Sequence, residues 1–132
     1  MDAAVRKLVR ERAGDRCEYC RLPQDAVDAK FHVDHAVAQQ HLDEIDDQPD
    51  GLALACDRCN FCKGTNLSSI DPATGDIVLL FNPRQDTWED HFRKDGPQIV
   101  GLTPIGRATV RLLQMNAKHR MELRTWIIEE EL

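Results

Sequence analysis

Two Cys-x-x-Cys pairs constrain this chain more than any other feature of its sequence. They are Cys17/Cys20 and Cys56/Cys59, and 35 residues separate them. Two such pairs brought together supply four thiolates, the ligand set of a tetrahedral structural Zn²⁺ site. The separation exceeds the roughly 15–20 residues of a compact zinc ribbon, which leaves room for a strand and a loop. The sequence therefore predicts a four-cysteine zinc site that staples a small nucleus together.

Other uses of these cysteines fit the sequence less well. Iron remains an alternative metal, because four thiolates suit both ions. A thioredoxin-type redox pair needs one Cys-x-x-Cys in a βαβ context, and this pattern is missing. The fifth cysteine, Cys62, follows Cys59 by three residues. We interpret it as a small buried apolar residue and not as a ligand.

Length and composition favour one domain of 132 residues, with a zinc-stapled nucleus at about 14–66 and a C-terminal extension at about 67–132. The hydrophobic content of 42% is typical of soluble proteins, and no apolar run approaches the roughly 20 residues that span a bilayer. We therefore expect no membrane partner. The first fourteen residues lack the apolar core of a secretory signal. Cysteines in such a chain favour metal over disulfides, which predicts a cytoplasmic location.

The charge distribution matters more than the net charge of −6. The negative total argues against a broad nucleic-acid footprint. The first sixteen residues nevertheless carry five basic side chains against three acidic ones, so Arg6 and Arg10 are candidates for a local DNA contact. Residues 36–56 contain no lysine or arginine and five acids, which are Asp43, Glu44, Asp46, Asp47 and Asp50.

Periodicity and turn signals predict an α+β order of elements. The nucleus would contain a helix at 3–13 with Ala4 and Leu8 inward (Val5 and Val9 as further candidates), strands at 31–35 and 52–55, a loop at 39–51, and a helix at 57–63 that ends near Gly64. The extension would contain a strand at 77–81, a hairpin turning at Asp95-Gly96, a helix from Thr103-Pro104 to about 116, and a last helix at 117–131.

Asp34 and His35 lie between the two cysteine pairs, and Asn60 directly follows the second pair. Carboxylate and amide oxygens hold hard divalent ions, and an imidazole beside such an ion activates water. Neighbours on a regular strand point to opposite faces. Asp34 and His35 can therefore serve one site only if the strand twists or ends there.

The segments CEYC, FHVDH and LALACDRCNFCKG, in this order, resemble the HNH endonucleases of the ββα-metal family in their cysteine-bracketed form. The segments LFNPRQDTWEDHF and VGLTPIGRATVRLLQMN resemble the C-terminal part of small bacterial HNH proteins. The likeness covers roughly residues 16–116. It implies a ββα-metal nucleus stapled by the four-cysteine zinc site, with an N-terminal helix and a C-terminal hairpin plus helices.

The resemblance also implies a chemistry, which is metal-dependent hydrolysis of DNA phosphodiester bonds. His35 would be the general base, while Asp34 and Asn60 would hold one catalytic Mg²⁺ or Mn²⁺ ion. Lys63 lies on the same side of the helix as Asn60, where it would either contact a phosphate or be a solvated helix-end residue. Cutting both strands with one site per chain would favour a homodimer.

Two departures from the family pattern keep rival functions open. The family usually has an asparagine before the second strand, where it holds the loop and orients the base, and this chain has Gly51. The acidic stretch 43–50 replaces a glycine-rich loop and opposes DNA approach unless some of its acids hold metal. The first rival is a zinc-stapled DNA-binding or adaptor module without catalysis. The second is a protein-interaction domain, which the net charge favours.

The sequence also predicts roles for several further polar residues. We expect His32 to pack at the core or rim and His91 to be a packed or hydrogen-bonded residue. His41 is a further candidate metal ligand. Arg107 and Arg111, four residues apart on one predicted helix, would form either a DNA-facing stripe or a solvated face.

Overall fold

A computed structural model describes residues 1–43 and 47–131 and has the predicted α+β fold. Short antiparallel strand pairs alternate with helices along the chain, in three two-stranded sheets among the described residues. The strands are β1 (His32–His35), β2 (Leu52–Ala55), β3 (Ser68–Ile70), β4 (Ile77–Leu79), β5 (Phe92–Asp95) and β6 (Gln98–Gly101). The helices are α1 (Ala3–Arg12), α2 (Asp57–Lys63), α3 (Trp88–His91), α4 (Pro104–Leu112) and α5 (Lys118–Glu131). None of the helices in these ranges has the length and apolar character needed to cross a membrane.

Helix α1 begins at a side-chain cap, because the Asp2 carboxylate accepts a hydrogen bond from the Val5 N–H at 2.9 Å. Val9 is fully buried and Val5 is half-buried. The prediction that Ala4 and Leu8 face inward is wrong, since Leu8 is 47% exposed and Ala4 is exposed as well. The inward-facing residues are instead the further candidates Val5 and Val9, each one position after a residue that was predicted to face inward.

The nucleus is the predicted pair of strands followed by a helix. β1 pairs antiparallel with β2, with Asp34 opposite Ala53 and His35 opposite Leu52. All four residues of β2 are buried, because this apolar run lies in the core, with α1 and α2 both packed against it. α2 begins after Cys56 and ends at Gly64, whose φ of 51° suits a residue without a side chain. The predicted bounds of α2 and β2 are confirmed.

The C-terminal extension supplies two more hairpins and two longer helices. The hairpin predicted at Asp95-Gly96 joins β5 and β6. The predicted strand at 77–81 is shorter, and it pairs with β3, which the sequence pattern did not indicate. Thr103 caps α4 as predicted, accepting from the Gly106 N–H at 3.0 Å. α4 ends at Leu112 and not near 116, because Gln114 takes a left-handed conformation with φ of 50°.

Aromatic side chains join the extension to the first cysteine pair. Phe81 packs edge-on against Tyr19 and against Phe92, with ring centroids 6.3 Å and 5.1 Å apart. The Trp88 indole N–H donates to the Tyr19 carbonyl at 2.7 Å. Tyr19, one of the two residues between the cysteines of the first pair, is thus held by side chains from sixty or more residues downstream.

Candidate metal centre and active site

The four cysteines of the two pairs meet in one buried cluster. Their sulfur atoms all lie within 4.8 Å of one another, and Cys20 Sγ is 3.8 Å from Cys56 Sγ. A tetrahedral site with Zn–S bonds of about 2.3 Å has sulfur–sulfur edges of about 3.8 Å, so the cluster fits zinc. Cys62 is half-buried and lies outside the cluster. The prediction of four cysteine ligands without Cys62 agrees with this geometry.

In each pair, the backbone N–H of the second cysteine is directed at the sulfur of the first cysteine. The Cys20 N–H lies 3.5 Å from Cys17 Sγ, and the Cys59 N–H lies 3.4 Å from Cys56 Sγ. Such contacts favour a thiolate over a thiol. The pKa of the Cys56 thiol is lowered because Cys17, Cys20 and Cys59 hydrogen-bond to it. The pKa values of Cys20 and Cys59 are raised, chiefly by their contacts with the other cysteines. Without a cation the four sulfurs therefore cannot all ionise readily.

Two buried arginines of α5 lie around the sulfur cluster. Arg120 and Arg124 are 7% and 8% exposed. Arg120 donates to the Asp57 carboxylate of α2 at 2.9 Å. Burial alone lowers the pKa of Arg120, but the negative charges of Cys56 and Asp57 outweigh burial and raise the pKa overall. The extension thus places positive charge beside the anionic sulfurs.

Glu18 fastens the first cysteine pair to β2. The Glu18 N–H donates to the Leu54 carbonyl at 2.8 Å, and the Leu54 N–H donates to the Glu18 carboxylate at 2.8 Å. The other carboxylate oxygen of Glu18 accepts from Arg84 of the extension. This buried carboxylate therefore fixes the position of the first cysteine pair relative to β2.

His35 is the last residue of β1, and a carboxylate of the acidic stretch holds its ring. His35 Nε2 lies 3.0 Å from Asp47 Oδ1 and 3.1 Å from Gln39 Nε2. Because a carboxylate only accepts hydrogen bonds, the Asp47 contact requires the proton on Nε2 and the lone pair on Nδ1, and the Gln39 amide must then turn its oxygen to the ring. The sequence did not assign this role to Asp47. Of the other acids in that stretch, Glu44 and Asp46 lie outside the described residues.

Asp34 lies on the side of β1 that faces α2. Burial raises the pKa of Tyr19 and lowers the pKa of Lys63, and the negative charge of Asp34 adds to the first effect and opposes the second. The chain bends at Ala36 and Val37 directly after His35. Asp34 and His35 both pair in regular register with β2, so neighbours alternate between faces up to His35 and the bend comes only after it.

Asp34 and Asn60 are both half-buried and have unclaimed side-chain oxygens. Within residues 1–43 and 47–131, neither the Asp34 carboxylate nor the Asn60 amide has a hydrogen-bond partner. Oxygen ligands of this kind suit Mg²⁺ or Mn²⁺. The donor set therefore fits the predicted catalytic ion.

Lys63 is not the solvated helix-end residue that was one of its two interpretations. It is 2% exposed, and its ammonium has no hydrogen-bond partner among the described residues. Burial lowers the pKa of Lys63, and the charge of Asp34 opposes this effect. A buried ammonium beside the candidate site is a group that an anionic ligand would neutralise.

Arg12 holds the loop that precedes β2. Its guanidinium donates to the Pro49 carbonyl at 2.8 Å and to the Leu52 carbonyl at 2.7 Å. The Ala36 N–H donates to the Gly51 carbonyl at 2.9 Å, which closes the loop from the other side. Sequence reasoning missed this role because Arg12 belongs to a basic run with no pattern that marks one arginine as structural.

The arginines that were predicted to face DNA or solvent lie in different environments. Arg10 donates to the Phe31 carbonyl at 2.7 Å, whereas Arg6 is exposed. Both interpretations of Arg107 are wrong, because it forms a two-pronged ion pair with the buried Asp71 at 2.9 Å and 2.7 Å. Arg111 is exposed.

Three histidines other than His35 had roles predicted from the sequence. His91 Nδ1 lies 2.7 Å from the Thr103 hydroxyl, as predicted for a hydrogen-bonded structural residue. His32 is exposed, so the prediction that it packs into the core or rim is wrong. His41 Nε2 lies 2.9 Å from the Thr65 carbonyl.

A strand pair and helix stapled by four cysteines, with Asp-His at the strand end and asparagine on the helix, define a ββα-metal architecture. Residues 17–66 match the family model described as HNH endonuclease. The match covers the segment in which the sequence resemblance was seen.

The chain is also similar to the Septu protein PtuB of Bacillus thuringiensis. The two are 25% identical over 117 residues, which cover 89% of this chain and 43% of the relative. The chain thus spans less than half the length of that protein. The aligned residues extend beyond 17–66, so the likeness includes elements outside the nucleus. No solved structure matches the chain.

Proposed function

We propose that this chain is a metal-dependent endonuclease that hydrolyses DNA phosphodiester bonds. One observation carries the proposal: Asp47 holds His35 at the end of β1, Asp34 precedes His35 on that strand, and Asn60 lies on α2, which packs against β1. This arrangement lies within the segment that matches the HNH endonuclease family. A base oriented by a carboxylate beside a cation site is suited to activating water against a phosphodiester.

In the proposed mechanism His35 takes a proton from water at Nδ1, and the water oxygen attacks phosphorus. The bond from phosphorus to the leaving 3′-oxygen breaks, and that oxygen takes a proton from a second water molecule and leaves as a hydroxyl. Asp47 keeps the ring oriented and stabilises the imidazolium that forms. Asp34 and Asn60 would hold Mg²⁺ or Mn²⁺, which when bound stabilises negative charge on the phosphate and the leaving oxygen. Lys63 would neutralise a phosphate of the same strand.

Several further assignments belong to this proposal. The four-cysteine cluster holds zinc in a structural role. DNA is the partner, and a second copy of the chain would allow both strands to be cut. Arg6 is exposed on α1, which leaves it available for a phosphate contact. We place the reaction in the cytoplasm.

A plasmid-nicking assay with Mg²⁺ or Mn²⁺ tests the proposal. We expect His35→Ala to lower the rate by roughly 10²–10⁴-fold, with fold and zinc content unchanged. Asp34→Ala and Asn60→Ala should instead raise the metal concentration needed for half-maximal rate. His32→Ala is the matched control, because His32 is an exposed histidine on the same strand.

The rival function is a zinc-stapled DNA-binding or adaptor module, which Gly51 in place of the family asparagine favours. A wild type that is inert with Mg²⁺, Mn²⁺ and Ni²⁺ would overturn the nuclease. A gel shift with Ca²⁺ would then distinguish a DNA-binding module, which retards DNA, from a protein-interaction domain, which does not.

A further inference from the structure

A cavity of about 340 Å³ opens beside the candidate active site. It lies between the bend that follows His35, the end of α2, the β3–β4 hairpin and the loop after Phe81. Ala36 and Val37, the first residues after the proposed base, form part of its wall. Lys63, on which the charge of Asp34 acts, forms another part. The cavity is therefore continuous with the elements that carry the proposed chemistry.

The walls of the cavity are mainly apolar, and the polar groups between them, besides Lys63, are three amides, His41 and the Asp86 carboxylate, which accepts from the Asn82 N–H at 2.9 Å. Val37, Leu67, Leu79, Phe81 and Ile105 provide the apolar surface. Leu67 and Leu79 remain 39% and 66% exposed, so no other part of the described chain covers this side. An open apolar cavity with a few convergent polar groups is the usual form of a small-ligand site.

The amides of the lining have hydrogen-bonding capacity left over. Asn82 uses its oxygen to accept from the Arg84 N–H at 2.9 Å, which leaves its NH₂ group. Asn66 uses its NH₂ group to donate to the Lys63 carbonyl at 2.9 Å, which leaves its oxygen. The Asn82 NH₂ group and the Asn66 oxygen therefore remain available on the wall. Asparagine and glutamine amides bind the edges of nucleobases in this way.

Lys63 supplies a positive charge to the wall of the cavity. It is 2% exposed, and its ammonium has no hydrogen-bond partner in residues 1–43 and 47–131. Burying an ammonium without a partner is costly, so the position favours a ligand that brings an anion to it. A phosphate meets that need, and a base attached to the phosphate would meet the apolar walls and the amides.

We propose that this cavity binds one unstacked nucleotide, with its base between the apolar walls and its phosphate toward Lys63. The inference rests on the proposed function in one respect, since the nucleotide would belong to the strand that is cut. The volume is at the lower end of the roughly 300–1,000 Å³ found for ligand sites, which suits a single nucleotide. Enzymes that do chemistry on a base take it out of the stack and hold it between aromatic or apolar side chains, which shows that a cavity of this kind can hold an unstacked base.

The experiment follows the side-chain methyl signals of the zinc-loaded protein by NMR, without Mg²⁺ or Mn²⁺. The four deoxynucleoside monophosphates are added singly at millimolar concentration, and deoxyribose 5-phosphate serves as the probe without a base. We expect at least one nucleotide to shift the Val37, Leu67, Leu79 and Ile105 methyl signals, whereas deoxyribose 5-phosphate leaves them in place.

Two variants test the parts of the site separately. Val37→Trp fills the cavity and should abolish the shifts, while Leu8→Trp, at an exposed position on α1, should retain them. Lys63→Met should weaken monophosphate binding about tenfold and leave the uncharged nucleoside unaffected. If Lys63→Met fails to fold, Val37→Trp still decides the outcome.

Three results would overturn the inference. They are no methyl shift with any of the four nucleotides, the same shifts with deoxyribose 5-phosphate, or shifts that depend only on protein concentration. The last result would identify the cavity as a contact between copies of the chain. Since the measurement involves no cleavage, a protein that binds nucleotides here but leaves plasmid intact would refute the nuclease and not the cavity.

Discussion

His35 and Gly51 show how this chain differs from the family pattern at the level of single residues. The resemblance assigns two tasks to an asparagine before β2, which are to hold the loop and to orient the base. Here the tasks fall to two other side chains. Asp47 holds the His35 ring at 3.0 Å, and Arg12 holds the loop through the carbonyls of Pro49 and Leu52. Asp47 belongs to the acidic stretch that was expected to oppose DNA. Under the proposed function, it is a positioning residue for the base.

We predict that Asp47→Ala lowers the rate of DNA cleavage by roughly 10–100-fold. The physical reason is that the imidazole loses its orientation and its preferred tautomer. The metal concentration for half-maximal rate should not change, because Asp47 orients the base and is not a proposed ligand. Steady-state nicking kinetics over a metal titration measure both quantities.

Adding Gly51→Asn to the Asp47→Ala variant gives a sharper test. The double variant restores the family residue, so it should recover part of the lost rate. Gly51→Asn alone should change the rate little, because Asp47 already holds the base. If the double variant is as slow as Asp47→Ala and the single variant is faster than wild type, the division of tasks is wrong.

At the scale of elements, α4 approaches the β5–β6 hairpin through two glycines. A Cβ at Gly106 would lie 2.0 Å from the His91 carbonyl oxygen, and a Cβ at Gly101 would lie 2.5 Å from the Arg107 nitrogen. Backbone atoms occupy both positions, so no side chain can move aside. The close approach fixes α4 against the hairpin and thereby fixes Arg107 against Asp71.

We predict that Gly106→Ala lowers the free energy of unfolding by about 1–3 kcal/mol or more, as expected for overpacking against backbone. Arg111→Ala, at an exposed position on the same helix, is the matched control and should change it by less than about 0.5 kcal/mol. Thermal or denaturant unfolding of the zinc-loaded proteins measures the difference. Equal stabilities would show that α4 is free to shift away from His91.

Much of the element order could be predicted because its signals are local. α2 has a capping cysteine before it and a left-handed glycine after it, so both bounds follow from short-range rules. The hairpin at Asp95-Gly96 follows in the same way. α4 was predicted four residues too long, since its end depends on a left-handed Gln114 that no local rule marks. The β3 strand was missed because Ser68, Ser69 and Ile70 become a strand only through pairing with β4.

The candidate site was predictable in its residue types and not in their environments. The four cysteines, Asp34, His35 and Asn60 were identified from spacing and resemblance. The burial of Lys63 and the contact between His35 and Asp47 were not. Arg107 was misread because its partner Asp71 is 36 residues earlier in the chain. Such contacts depend on tertiary structure, which the pattern of one segment does not encode.

At the scale of the whole molecule, the zinc site needs charge compensation from the C-terminal helix. Four thiolates around one Zn²⁺ ion carry a net charge of −2, and burial makes that charge costly. Arg120 and Arg124 of α5 are buried beside these sulfurs, and Arg120 also ties α5 to α2 through Asp57. We therefore expect zinc binding in the nucleus to be coupled to the docking of the last helix.

We predict that Arg120→Met weakens zinc binding by roughly 10–100-fold, as loss of an outer partner does at other metal sites. Competition with a chromophoric chelator measures the affinity. Lys118→Met removes a charge from the same helix at a position that is 91% exposed, so it should leave the affinity unchanged. Equal affinities for the two variants would show that α5 does not compensate the site.

We predict further that Cys17→Ser or Cys56→Ser yields insoluble or partly unfolded protein, whereas Cys62→Ser folds. The reason is that zinc binding supplies much of the folding free energy of a small nucleus with short elements. Elemental analysis and circular dichroism of the three proteins provide the measurement. Wild-type protein that is folded and contains neither zinc nor iron would contradict the prediction.

The contacts of Arg12 have a consequence for any attempt to transplant this nucleus. Arg12 precedes the segment that matches the family model, and Arg84 and Arg120 follow it, yet all three hold groups inside it. The motif recognisable in the sequence is therefore smaller than the unit that can be moved as a working part. A chimaera that inherits only residues 17–66 would lose the cationic scaffold that keeps its loop, its first knuckle and its helix in place.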